Sequence, residues 1–81
     1  MGVRLSRLLA AWFHLEAKQW SSETASGQPA VCCPVCAGIS EIDMSQHTID
    51  RQGKVTPVWQ CPKPLCGSWQ WLELEAFGEN P

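Results

Sequence analysis

Apolar residues in the first twenty positions recur at three- and four-residue steps: Leu5, Leu8, Leu9, Trp12, Phe13 and Trp20. On a helix of 3.6 residues per turn these side chains form one stripe, with Arg4, Arg7, Glu16 and Lys18 mostly off it. No Gly or Pro interrupts residues 4–20. The pattern therefore predicts one amphipathic helix, filling an N-terminal unit of residues 1–20, with His14 beside the stripe and in need of no special role. SSETASGQP follows, small and polar and closed by a proline, so residues 21–30 read as a linker.

Beyond residue 30 the apolar period shortens. Residues 39–44 alternate weakly, and residues 48–50 and 55–60 flank DRQGK, whose Gly53 can take the positive φ a hairpin turn needs. Pro57 has no N–H for a ladder, which places its strand at an edge or a bulge. Residues 69–75 alternate cleanly: Trp69, Trp71, Glu73 and Glu75 share one face, Gln70, Leu72 and Leu74 the other. The leucine face is the natural inner one, leaving two tryptophans either outward or beneath the N-terminal helix.

A chain of 81 residues makes one small domain, with a core thin enough that a staple is expected. Five cysteines are the obvious candidates: Cys32, Cys33, Cys36, Cys61 and Cys66. An odd number closes a disulfide framework poorly, whereas one metal site takes four ligands and leaves one thiol over. Cys33-Pro-Val-Cys36 is a CxxC pair followed by Ala37-Gly38, and Cys61-Pro-Lys-Pro-Leu-Cys66 a CxxxxC pair followed by Gly67. In each, a tight turn sets two sulfurs on one side, and main-chain N–H groups in the turn spread the thiolate charge. Gly after the second Cys permits the positive φ that aims them. The 24 residues between the pairs suffice for a hairpin that brings both knuckles onto one ion, so that metal binding becomes folding free energy. Zn2+ on Cys33, Cys36, Cys61 and Cys66 is the expectation. Cys32 is the alternative to Cys33; used instead, it would turn the first pair into a looser CxxxC, so Cys32 reads as a small buried residue or a spare thiol. His47 could replace one thiolate but lacks knuckle spacing. A redox CxxC wants a βαβ setting, and none is visible.

These readings combine into a small metal-stabilised α+β fold: an N-terminal amphipathic helix, the linker, a three-stranded antiparallel zinc ribbon over residues 31–77, and a tail at 78–81. VCCPVCAG, the hairpin-length insert and VWQCPKPLCGSWQWLELEAF together resemble, over residues 31–77, the Ogr/Delta family of phage late-transcription activators. The likeness lies in CxxC before CxxxxC, an aromatic ahead of the third cysteine and strand-forming aromatics after the fourth. It implies zinc on the same four cysteines, with contacts to promoter DNA and RNA polymerase.

Charge and composition bear on what such a protein does. Four thiolates saturate a metal and leave no place for an activated water, and no nucleophile motif is present, so no enzyme is expected. Residues 1–30 hold Arg4, Arg7 and Lys18 against Glu16 and Glu23, net +1. Residues 31–81 hold Arg51, Lys54 and Lys63 against six acids, net −3. The leading expectation is a regulator touching DNA or the transcription machinery, with Arg4 and Arg7 on phosphates and Trp59, Trp69 or Trp71 as stacking surfaces. The alternative is a protein-binding module, an inhibitor or adaptor such as mobile elements use. Its anchors would be Trp12 on the helix and the Trp69/Trp71 face, supported by five tryptophans against two phenylalanines and no tyrosine. A third reading takes MGVRLS as an N-myristoylation signal, with Gly2 acylated and Trp12/Phe13 at a membrane surface. No apolar run is long enough to span a bilayer, the segment after Arg4 and Arg7 makes a poor secretory signal, and the thiols point to a reducing, cytoplasmic setting.

Overall fold

In the computed structural model, which describes residues 2–78, the N-terminal segment is a strand rather than a helix. β1 spans Val3–Arg7, a single 3-10 turn spans Trp12–His14, and β2 spans Gln19–Ser21. β3 (Ala30–Cys32) and β4 (Ile39–Glu41) follow, then β5 (Thr48–Ile49) and β6 (Val55–Thr56). β7 (Trp59–Gln60), β8 (Trp69–Gln70) and β9 (Leu72–Leu74) complete the chain. Five strands form one mixed sheet in the order β4-β3-β2-β1-β9, while β5–β6 and β7–β8 are separate two-stranded ladders. β1 runs parallel to both β2 and β9; β3 runs antiparallel to both β2 and β4.

The expected α+β class is thereby overturned. No α-helix occurs among the described residues, and the N-terminal amphipathic helix gives way to β1, an inner strand of a sheet paired on both sides. The reason lies in VRLSR, which alternates: Leu5 is fully buried while its neighbours Arg4 and Ser6 are exposed. Pairing Val3, Arg4 and Leu5 with Leu72, Glu73 and Leu74 on one side, and Ser6 and Arg7 with Gln19 and Trp20 on the other, gives β1 hydrogen-bonding neighbours along both edges. The apolar stripe is dispersed. Leu5 and Trp20 enter the main core and Leu8 packs in a second cluster, but Leu9 and Phe13 are 64% and 62% exposed. Residues 22–29 join paired strands of one sheet and are tied internally, with the Thr24 hydroxyl accepting from the Gly27 N–H and donating to the Gln28 carbonyl.

The three-stranded ribbon is replaced too. Residues 69–75 break at Trp71 into β8, which pairs with β7, and β9, which pairs with β1. Leu72 and Leu74 do face inward, and Trp69 and Trp71 stand outward, 63% and 52% exposed. The main core gathers Leu5, Trp20, Val31, Val55, Trp59, Leu72 and Leu74 around Cys33 and Cys61. Trp20 is fixed by its indole N–H, which donates to the Glu75 carbonyl at 2.9 Å. Leu15, Ala30 and Cys32 form the second cluster; alternation along β3 sends Ala30 and Cys32 to the face opposite Val31. Gly53, at φ +84°, turns the β5–β6 hairpin as its sequence suggests. Its carbonyl also accepts from the Leu74 N–H at 2.8 Å, and a Cβ there would run into the Leu74 carbonyl.

Candidate metal centre

Both knuckles grow out of hairpins. The first closes β3 to β4: the Cys33 N–H donates to the Gly38 carbonyl and the Ala37 N–H to the Cys33 carbonyl, each at 2.9 Å. The second closes β7 to β8, with the Cys61 N–H on the Ser68 carbonyl at 2.9 Å and the Cys66 N–H on the Lys63 carbonyl at 3.0 Å. Each turn folds the same way around its sulfurs. Val35 and Gly38 direct their N–H groups to the Sγ atoms of Cys33 and Cys36, both at 3.4 Å. Lys63 and Ser68 do the same for Cys61 and Cys66. Every cysteine of the set thus receives the N–H of the residue two positions on, an arrangement that disperses thiolate charge.

The left-handed residue after each second cysteine is Ala37 at φ +60° and Gly67 at φ +61°. In the first knuckle, then, the conformation usual for glycine is borne by an alanine. Gly38 is required for a different reason: a Cβ there would lie 2.8 Å from Lys63 Cγ and 3.2 Å from Cys36 Sγ.

The four sulfurs all lie within 4.8 Å of one another. Across the knuckles, Cys33 Sγ is 3.9 Å from Cys66 Sγ and Cys36 Sγ is 3.7 Å from Cys61 Sγ. All five cysteines are free thiols. The set can hold a metal ion, with Cys33 and Cys61 buried in the core, Cys66 half-buried and Cys36 exposed at the rim. Burial pushes the Cys61 thiol up to about 12, against the opposing pull of the Lys63 N–H. The Ser68 hydroxyl and N–H bring Cys66 down to about 6.

Cys32 points elsewhere. Its Sγ donates to the Ala37 carbonyl at 3.2 Å within the second cluster, and burial, followed by Cys33, Cys36 and Glu16, raises its pKa. His47 is held 3.2 Å from the Asp43 carbonyl and His14 stacks on Phe13 at 4.5 Å; neither joins the sulfurs. Of the residues singled out for partner contact, Arg4 pairs with Glu73 at 3.3 Å and Glu75 at 4.0 Å. Arg7 donates to the Ala76 carbonyl and lies over the Trp20 ring. Trp12 packs edge-on against Phe13, on a turn rather than a helix face, while Trp69 and Trp71 flank the break between β8 and β9. Sequence reasoning missed Ser68, whose hydroxyl sits 3.2 Å from Cys66 Sγ; the signal was its place two residues after a cysteine. No helix is long and apolar enough to cross a membrane. Comparison with protein-family models, curated proteins and solved structures finds no match to this chain.

Proposed function

We propose that Cys33, Cys36, Cys61 and Cys66 hold one zinc ion in a purely structural role, and that the protein is a non-enzymatic protein-binding module of a reducing, cytoplasmic setting. The observation that carries the metal reading is the spacing of the sulfurs. Zinc–sulfur bonds of about 2.3 Å at tetrahedral angles require sulfurs about 3.8 Å apart, and the cross-knuckle distances are 3.7 and 3.9 Å. When bound, the ion supplies charge neutralisation and a cross-link between the β3–β4 and β7–β8 hairpins. The four thiols accept it by giving up their protons, and the N–H groups of Val35, Gly38, Lys63 and Ser68 orient them.

Protein is favoured over nucleic acid as the partner because the two N-terminal arginines are engaged and the chain as a whole is acidic. Arg4 is paired with Glu73 and Arg7 is committed to Ala76 and Trp20, on a chain of net charge −2. Phosphate contacts by Lys and Arg supply most of non-specific nucleic-acid affinity. Trp69 and Trp71, large, exposed and two positions apart, are anchors of the type that dominates protein interfaces. Native mass spectrometry of protein purified without added metal tests the first part, with one zinc per folded chain expected and a metal-free folded mass overturning it. Capture of a partner from source cells tests the second. It should survive high salt and be lost in Trp69→Ala/Trp71→Ala; salt-sensitive retention on duplex DNA would replace the reading.

A further inference from the structure

The two edges of the five-stranded sheet are treated differently. β9 is covered: Gly53 bonds its Leu74 N–H, and Lys54 bridges Glu73 from the β5–β6 hairpin. β4 is open. The Cys33 N–H bonds Gly38 and the Ile42 N–H bonds Pro29, so residues 38, 40 and 42 face β3. By the alternation of an antiparallel ladder, the N–H and C=O groups of Ile39 and Glu41 point away from the sheet. Such a row of unpaired groups is a template for another strand.

Beside this edge runs a groove of about 210 Å³, lined by Trp12, Ala30, Ile39, Ser40 and Glu41. Ile39 and Glu41 share one face of the strand, the face of the groove. The ends of the edge carry opposite charge. The exposed Glu41 carboxylate is positioned by the Ser26 hydroxyl at 2.7 Å and the Gln28 amide at 3.2 Å, with no basic partner among the described residues. At the other end the Lys63 side chain lies over Gly38. We propose that β4 takes an extended segment of a partner protein as a sixth, antiparallel strand. That segment carries a basic residue opposite Glu41, an apolar residue in the Trp12/Ile39 groove two positions later and, next after it on the opposite face, an acidic residue towards Lys63. Main-chain bonds supply affinity in this mode and the alternate side chains supply specificity. The inference rests on the protein-binding reading but uses the edge of β4 rather than Trp69 and Trp71, so its failure leaves the tryptophan capture result standing.

The test uses metal-loaded, 15N-labelled protein and the peptide acetyl-TKTVETT-amide, whose Lys and Val fall on one face and whose Glu falls on the other. Its isomer acetyl-TETVKTT-amide, with the charges exchanged, is the control. The matched peptide should shift the Ile39 and Glu41 amide signals and slow their hydrogen exchange. The isomer, and a matched peptide N-methylated at its valine, should each bind about fivefold or more weakly. Glu41→Lys, a change at an exposed position, should remove the preference for the matched peptide. Unmoved Ile39 and Glu41 signals, or equal binding of the two isomers, would overturn the proposal. So would protection of β4 without peptide that grows with protein concentration, which would assign the edge to a second copy of the chain.

Discussion

Stripping the metal should dismantle the molecule in a particular order. β7–β8 is a ladder of two residue pairs, Trp59 with Gln70 and Gln60 with Trp69, and it belongs to neither the five-stranded sheet nor β5–β6. A two-stranded hairpin is marginal alone in water, so β7–β8 depends on the sulfur cross-link and on the packing of Trp59 and Cys61. The five-stranded sheet meets the site only at its β3–β4 hairpin, while β1, β2 and β9, which supply Leu5, Trp20, Leu72 and Leu74 to the core, carry none of the four cysteines. An ion that binds only the folded chain, at a free concentration a thousandfold above its Kd, stabilises by about 4.1 kcal/mol. For a domain this size each kcal/mol moves Tm by roughly 4–8 °C, so a chelator should lower Tm by about 16–33 °C. The total stability expected of 81 residues is roughly 4–12 kcal/mol, so the loss is large without having to be complete. Native-state hydrogen exchange with and without chelator reads the order: Trp59, Gln60, Trp69 and Gln70 should lose protection well before β1 and β9. An unchanged Tm, or β1 exchanging as early as β7, would refute the reasoning, because the site would then not be the fastening of the second hairpin.

Four further outcomes follow from the same geometry. Metal affinity should fall with acidification: Cys61, pushed up to about 12, carries a proton the metal must displace throughout the neutral range, whereas Cys66, at about 6, adds one only below that pH. Competition titrations between pH 5 and 8 should therefore steepen near 6. In the metal-free fold, the lowered pKa of Cys66 contributes stability that is full above the ordinary 9.0 and lost as pH falls through about 6; the contribution of Cys61 is instead full below 9.0 and lost as pH rises through about 12. Cys33→Ser should abolish stoichiometric metal by mass spectrometry while Cys32→Ala leaves it at one per chain, costing roughly 1–2 kcal/mol by denaturant unfolding for the lost packing of a buried small side chain. Gly53→Ala should cost roughly 2–4 kcal/mol in the same assay, through strain at positive φ and displacement of the hairpin from Leu74. Ala37→Gly should raise stability by up to about 1 kcal/mol, the left-handed penalty outweighing the added freedom of the unfolded chain, and a loss of stability there would show that the Ala37 methyl packs usefully.

What could be read from the sequence is what the chain decides within a few residues. A knuckle is such an object: whether the N–H of Val35 meets the sulfur of Cys33 depends on the turn from Cys33 to Cys36, not on the rest of the protein. The Gly53 turn and the inward Leu72 and Leu74 are local in the same sense. Even the Cys32–Cys33 ambiguity is resolved by alternation along β3, which turns consecutive side chains to opposite faces, one to the cluster around Leu15 and one to the main core.

The N-terminus could not be read that way, because its state is set by partners far along the chain. VRLSR is equally a fragment of a helical stripe and a five-residue alternating strand. The choice falls to β9, whose Leu72 and Leu74 lie some seventy positions away and meet Val3 and Leu5 in parallel register. Helix propensity offers only tenths of a kcal/mol per residue here, whereas burying Leu5 completely is worth about 2 kcal/mol, and the strand that does so is paired along both edges. Tertiary pairing therefore wins, and it removes the surface on which the helix-based readings stood. With Leu5 and Trp20 inside and Arg4 and Arg7 drawn onto Glu73, Ala76 and Trp20, what remains outside on this segment is Leu9, Trp12 and Phe13, carried on a turn beside the open edge of β4. Trp12, one of the residues that suggested an amphipathic arm, thus becomes one wall of a groove beside β4, and whatever fills that groove meets the sheet as well.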